Sequence, residues 1–286
     1  CLLFIGLPIL MTELSIGRGA HKSLGHAMDD LQPAGSKWHY FKYFIVLGAI
    51  LICGYYPVII GSLYGGGNGD YNTIVLAPNS VQEMADFVDL AFELAFNYRN
   101  PAMILSDGVL GQMMEKVVLP PYKPRRTEEE IKKECPWATF GRTKDRKPNI
   151  HTSLELTSEV QEANNLRFQA KYKKIKETEV RYETNYCDDA DYVIVAFGSA
   201  ARLSDKAIQI AREQGIKVGL FRPITLWPFP TKEISELAKT KKGILVVEIN
   251  AGQMVQDVLL AVNGAIPVEH YGRLGGIVPE PNEIVE

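Results

Sequence analysis

Residues 65–69 read Gly-Gly-Gly-Asn-Gly, a density of glycine that lets backbone N–H groups approach an anion closely, the chemistry of a phosphate-cradling loop. The spacing is not that of a Walker loop, no Lys follows and no helix is expected at its end, so a turn is the expected role. Gly198-Ser199 stands after an expected strand and before an expected helix, where open α/β sheets place ligands. An anion contact is one reading of it, and a helix cap is the expected one. Glu248 and Asn250 follow a later strand at the same edge, where they would face either a subunit interface or a ligand. Cys1, Cys53, Cys135 and Cys187 are scattered with no Cys-x-x-Cys pair and no His at ligand spacing, so free thiols are expected, with neither zinc nor an iron–sulfur cluster. His151, His270 and Lys173-Lys174 have no partner visible in the sequence and read as solvated. No catalytic residue and no metal ligand is assigned from these patterns, and cofactor-binding residues stay unassigned.

The elements that would position these residues change character near Gly65. From Tyr43 to Leu63 no side chain is charged, and the run meets the roughly 20 residues needed to cross a bilayer. Cys1 to Ile16 is apolar apart from Glu13 and two hydroxyls, and reads as the end of a second span, in which a carboxylate would mark a functional position. Because Cys1 is not an initiator Met and leads straight into apolar sequence, truncation at the start is expected. After Asp70 a short apolar strand, Thr73 to Ala77, leads to Ser80 and Glu83 at capping-box spacing. Val81, Met84, Val88, Phe92 and Ala95 follow at helical spacing and predict an amphipathic helix, which Arg99-Asn100-Pro101 stops. Ala102 to Leu105 closes a β-α-β unit.

From Leu119 to about Glu183 the composition turns polar and Pro-rich, predicting a linker with a weakly periodic helix from about Ser158 to Tyr182. The rest alternates apolar strands (Tyr192–Phe197, Val218–Phe221, Ile244–Val247) with helices near 201–214, 231–239 and 254–263, which implies a parallel sheet covered on both faces. The chain of 286 residues has room for about two domains, and its net charge of -3 leaves no basic excess for holding phosphate backbones, so nucleic acid is excluded as a partner.

Gly65 to Asp70, Ala77 to Glu83, Tyr98 to Pro101, Ser106 to Gln112, His151 to Glu155, Ala196 to Ser199, Leu220 to Pro230, Val247 to Met254 and Gly272 to Gly276 together resemble the alpha subunit of 2-oxoacid:ferredoxin oxidoreductases, the 2-oxoisovalerate (3-methyl-2-oxobutanoate) type most of all. The resemblance runs in unbroken order over roughly three quarters of the chain. It implies a thiamine-diphosphate enzyme with Mg and iron–sulfur clusters that converts a 2-oxoacid and coenzyme A to acyl-CoA and CO2, passing electrons to ferredoxin. In such enzymes the alpha subunit covers the aminopyrimidine with an acidic residue from the first half of its domain, and the beta subunit holds the Mg-diphosphate. This chain has only the second half, so it implies no cofactor on this chain alone and no turnover.

Gly6-Leu-Pro8, Glu13, Gly17-Arg18 and Tyr55-Tyr56 resemble instead the second and third transmembrane helices of sodium:neurotransmitter symporters. There the tyrosine matching Tyr56 touches the substrate, though most of that family's site comes from helices missing here, and Pro57 departs from the polar residue expected. The expected organisation is an apparent chimera: a membrane segment at 1–64, a partial pyrimidine-binding α/β domain at 65–120, a linker and polar helix at 121–186, and a transketolase C-terminal-like parallel α/β domain at 187–286. As written, the chain is expected in the membrane through residues 1–64, whereas the parent enzyme would be cytoplasmic, with beta and ferredoxin-type or gamma subunits as partners. The rival functions are a fragment of a sodium-coupled amino-acid transporter and a membrane-tethered interaction module.

Overall fold

Ile74, Val75 and Leu76 are wholly buried and form β1 (Ile74–Leu76), the first element of a computed structural model that describes residues 70–119, 121, 122, 124, 126–135, 137, 138 and 155–286. The described residues fall within one compact unit, Leu63–Glu286. After β1, Ser80 takes an extended conformation and its hydroxyl accepts from the Glu83 N–H, starting α1 (Val81–Tyr98). Arg99 ends α1 in the left-handed region at φ 46 and leads to β2 (Ala102–Ile104), which pairs parallel with β1 as the β-α-β reading requires. One part of that reading fails. Phe87 and Leu94 form the buried face of α1, whereas Val88 and Phe92 of the expected apolar stripe stand exposed.

A short helix, α2 (Glu128–Glu134), lies in the proline-rich stretch, closed by a capping box between Thr127 and Glu130. The polar helix is α3 (Ser158–Thr178). It stops short of Tyr182 because β3 (Tyr182–Asn185) begins there, a strand within the stretch read as linker. The C-terminal alternation follows as β4 (Tyr192–Val195), α4 (Gly198–Glu213), β5 (Val218–Pro223), β6 (Thr225–Trp227), α5 (Thr231–Ala238), β7 (Gly243–Glu248), α6 (Met254–Val262), β8 (Val268–Gly272) and α7 (Pro281–Val285). The main sheet has the order β3-β5-β4-β7-β8, parallel except for β3, which runs antiparallel to β5 at the edge. The expected parallel sheet is therefore mixed. The second sheet, β2-β1-β6, is closed by β6 pairing antiparallel with β1.

One continuous core joins the two sheets. Ile74 and Leu76 pack in a cluster with Trp227 of β6, Tyr172 and Ile175 of α3, and Ile234, Met254 and Val258 from α5 and α6. The Tyr172 and Trp227 rings meet edge to face at 5.6 Å. A second cluster on the other face of the main sheet packs Ala200, Ile208 and Ala211 of α4 against Ile194, Leu220 and Val247, with Ile284 of α7 covering its end.

The expectation of a membrane protein is corrected here. Among the described residues no helix is long and apolar enough to cross a membrane. The longest, α3, has 21 residues but buries only Tyr172 and Ile175, and α1 carries Glu83, Asp86, Asp89 and Glu93. The two apolar runs that suggested spans, with Glu13, Tyr56 and the glycines of 65–69, lie outside the described residues.

Candidate functional site

The carboxyl ends of β1, β2 and β4 bring their loops together, so the site is built from three strand-to-helix turns. After β2, Asp107 turns back on its own loop: Oδ1 accepts from the Val109 and Leu110 N–H groups, both at 3.0 Å. Its other oxygen faces the main sheet, at the end of β4. There the Ser199 N–H and hydroxyl both donate to Oδ2, at 2.9 and 2.7 Å. A single carboxylate thus caps two helical starts, the 3-10 turn Leu110–Gln112 and α4. Gly198, at φ +59, makes the approach possible, because a Cβ there would lie 2.8 Å from Asp107 Oδ2. Of the two readings of Gly198-Ser199, the helix start does hold an anion, and that anion is the chain's own Asp107.

A second junction lies beside it. Glu83, one turn into α1, accepts from the Asn79 N–H at 2.9 Å, which shifts the expected capping box by one residue. The same carboxylate takes a two-pronged bond from Arg222 of β5, at 2.9 and 2.7 Å. Arg222 is only 2% exposed, and its Nε donates to Glu183 of β3 at 2.9 Å. Burial works against its charge, but the bonds to Glu83 and then Glu183 outweigh that and raise its pKa. Arg202 of α4 donates to Glu115 at 2.6 Å, while the Val81 N–H donates to the other Glu115 oxygen at 3.0 Å. The Val81 N–H, then Arg202, hold the Glu115 carboxyl below the usual range.

At the end of β7, Glu248 is buried and accepts from the N–H groups of Met254, at 2.9 Å, and Val255, at 3.1 Å, at the start of α6. Asn250 donates to the same carboxylate at 3.0 Å and accepts from the Gly252 N–H, so both residues close a loop. His270, read as solvated, stands with Nε2 3.7 Å from Glu248. Asp257 of α6 is pushed up to about 6 by burial and then by Glu248. Cys135 and Cys187 are free thiols, and burial raises Cys187. Among the described residues no group of three or more His, Cys, Asp or Glu could hold a metal.

Sequence reasoning placed Glu83 and Ser199 as caps but gave Asp107, Glu115, Arg202 and Arg222 no role. Arg222 left a signal: a cation directly after the apolar Val218–Phe221 run has to be paired if the strand is central. Tyr56, the one substrate-contacting residue implied by the symporter resemblance, lies outside the described residues.

Two family models match in sequence. "Pyruvate flavodoxin/ferredoxin oxidoreductase, thiamine diP-bdg" covers residues 58–186, and "Pyruvate:ferredoxin oxidoreductase core domain II" covers residues 190–284. Residues 58–284 belong to the 2-oxoacid:ferredoxin oxidoreductase family. The first match takes in residues 58–64, which the sequence reading had given to the membrane segment. The ketoisovalerate oxidoreductase subunit VorB of Methanothermobacter marburgensis is 46% identical over 221 residues, 77% of this chain and 61% of that protein. The 2-oxoglutarate synthase subunit KorA of the same organism is 32% identical over 243 residues, 77% of this chain and 64% of that protein. This chain therefore spans about three fifths of the length of these curated relatives. Among solved structures, the 2-oxoglutarate:ferredoxin oxidoreductase from Magnetococcus marinus shares the fold, with a TM-score of 0.57 at 24% identity over 77% of this chain and 42% of that one.

Proposed function

We propose that this chain serves as a subunit of a thiamine-diphosphate-dependent oxidoreductase that converts a branched-chain 2-oxoacid and coenzyme A to acyl-CoA and CO2, with ferredoxin as electron acceptor. The observation that carries the substrate class is the higher identity to the ketoisovalerate subunit, 46%, than to the 2-oxoglutarate subunit, 32%. In this reading residues 65–120 supply the second half of a pyrimidine-binding domain, 187–286 a C-terminal α/β domain, and 121–186 their connection. The two junctions, Asp107 with Ser199 and Glu83 with Arg222, hold the strand-end loops in place. The symporter likeness of residues 1–64 has no part in it.

The cofactor does not fit the described residues by themselves. Thiamine diphosphate needs an acid free to face its aminopyrimidine and a cation site for its diphosphate. Asp107, Glu83 and Glu115 at this edge are already bound by Ser199, Arg222 and Arg202 respectively, and no metal group stands among the described residues. In this reading the remaining groups come from other segments and from a beta subunit that carries the Mg-diphosphate, with ferredoxin-type or gamma subunits taking the electrons. Calorimetric titration of thiamine diphosphate and Mg²⁺ into the full chain tests this. No saturable heat is expected from the chain alone, and saturable binding is expected once the beta subunit is present. Micromolar binding without a partner would place the whole site on this chain.

A further inference from the structure

A cavity of about 650 Å³ lies between the end of α3, the start of α5 and the first turn of α6, within the size range of small-ligand sites. Its apolar wall is made by Val180, Trp227 and Phe229. Trp227 is only 7% exposed and its ring is held edge to face by Tyr172 at 5.6 Å, so this wall belongs to the core and keeps its shape. Asp257 supplies the polar wall. Behind it stands Glu248, a buried carboxylate satisfied by the N–H groups that start α6 and by Asn250. Asp257 has no such help: burial and then the Glu248 charge act against its ionised form, and among the described residues no donor bonds to it. The fold leaves this carboxylate unsatisfied, and the cavity is where a donor can reach it.

The lining chooses the ligand. Lys176 and Glu177 of α3 and Lys232 and Glu233 of α5 share the cavity with Asp257, and both lysines are exposed to water. Carboxylates thus outnumber cations in the lining, and among the described residues no ion pair joins any of these groups. A bare metal ion is poorly served, because no group of three or more His, Cys, Asp or Glu converges among the described residues. An anion would leave Asp257 unsatisfied. An organic ammonium ion meets the whole lining: it donates to the carboxylate, is attracted to the faces of the indole and phenyl rings, and lays hydrocarbon on Val180. We infer that this cavity binds a primary amine with a short apolar body, its ammonium on Asp257 and its chain against Trp227, Phe229 and Val180. Occupancy then depends on pH, because Asp257 must give up its proton to accept from the amine. The charged groups that face Asp257 are Glu248, with His270 Nε2 3.7 Å from it, and the four side chains of α3 and α5 across the cavity.

The test titrates the full chain with pentylamine, and with pentanoate and pentanol as probes of the same length, followed by saturation-transfer NMR. At about pH 7.5 pentylamine is expected to bind about tenfold or more tightly than either of the others. Asp257→Asn keeps the shape and removes the repulsion from Glu248, so its melting is expected to be unchanged or higher, while its affinity for pentylamine falls about tenfold or more. Phe229→Leu keeps the wall apolar and should weaken pentylamine several-fold through the lost ring alone. Wild-type affinity should rise about tenfold from about pH 5 to about pH 7.5, since pentylamine stays charged throughout while Asp257, pushed up to about 6, becomes ionised. That rise should be absent in Asp257→Asn; a rise that persists there would move the titration to His270 and overturn the role of Asp257. Equal binding of the three probes, full affinity in a folded Asp257→Asn, or no binding of pentylamine by the wild type would each overturn the inference.

Discussion

Glu83→Ala is expected to cost about 3–5 kcal/mol of stability, the usual cost of breaking a buried ion pair by removing one partner. Arg222 is the reason. Its guanidinium is 2% exposed and cannot lose its charge, and two of its hydrogen bonds go to Glu83. Without them it keeps Glu183, whose side chain is 57% exposed and therefore well screened. Calorimetric melting should show the loss as a fall of roughly 6–20 °C for a unit of this size. The double variant Glu83→Leu/Arg222→Met removes the buried cation together with its partner and should recover most of the stability. A double variant as unstable as the single one would mean that Glu83 matters through its bond to the Asn79 N–H instead.

Asp107→Ala is expected to cost about 2–3 kcal/mol, because one carboxylate accepts four hydrogen bonds and caps two helical starts, each cap being worth about 0.5–2 kcal/mol. Ser199→Ala removes only the hydroxyl bond and should cost about 1 kcal/mol. The order of the two effects is the test, read from urea unfolding at constant m-value. Equal losses would show that the 3-10 turn after β2 does not depend on Asp107. Amide exchange at Val109 and Leu110 should also quicken in Asp107→Ala and not in Ser199→Ala, because only the former loses their acceptor.

Much of the fold was legible because local chemistry specified it. The Ser80 cap and the Arg99 stop bound α1, and the apolar runs beginning at Tyr192, Val218 and Ile244 became the three central parallel strands. The short strands were not legible. Tyr182–Asn185 is polar and joins only a sheet edge, and Thr225–Trp227 has three residues whose partner, β1, lies far back in the chain. Periodicity also misled at α1, since Val88 and Phe92 repeat at helical spacing but face outward. At the site, the residue types could be read as motifs while their pairings could not: Glu83 and Arg222 are 139 residues apart, Asp107 and Ser199 are 92 apart, and no local pattern records either contact. Those two pairings set how the β2-β1-β6 sheet is joined to the main sheet, so the part of the site that sequence left open is long-range by nature.

We propose that this chain works as one subunit of a 2-oxoacid:ferredoxin oxidoreductase and not by itself. The most direct measurement is 2-oxoacid-dependent reduction of ferredoxin, with thiamine diphosphate, Mg²⁺ and coenzyme A, by the chain alone and by the chain assembled with its beta and ferredoxin-type subunits. No turnover is expected from the chain alone, and turnover, faster with 3-methyl-2-oxobutanoate than with 2-oxoglutarate, is expected from the assembly once it includes the segments that supply the acidic residue facing the aminopyrimidine. Turnover by the isolated chain, or such a complete assembly that forms but reduces no ferredoxin with any 2-oxoacid, would contradict the proposal.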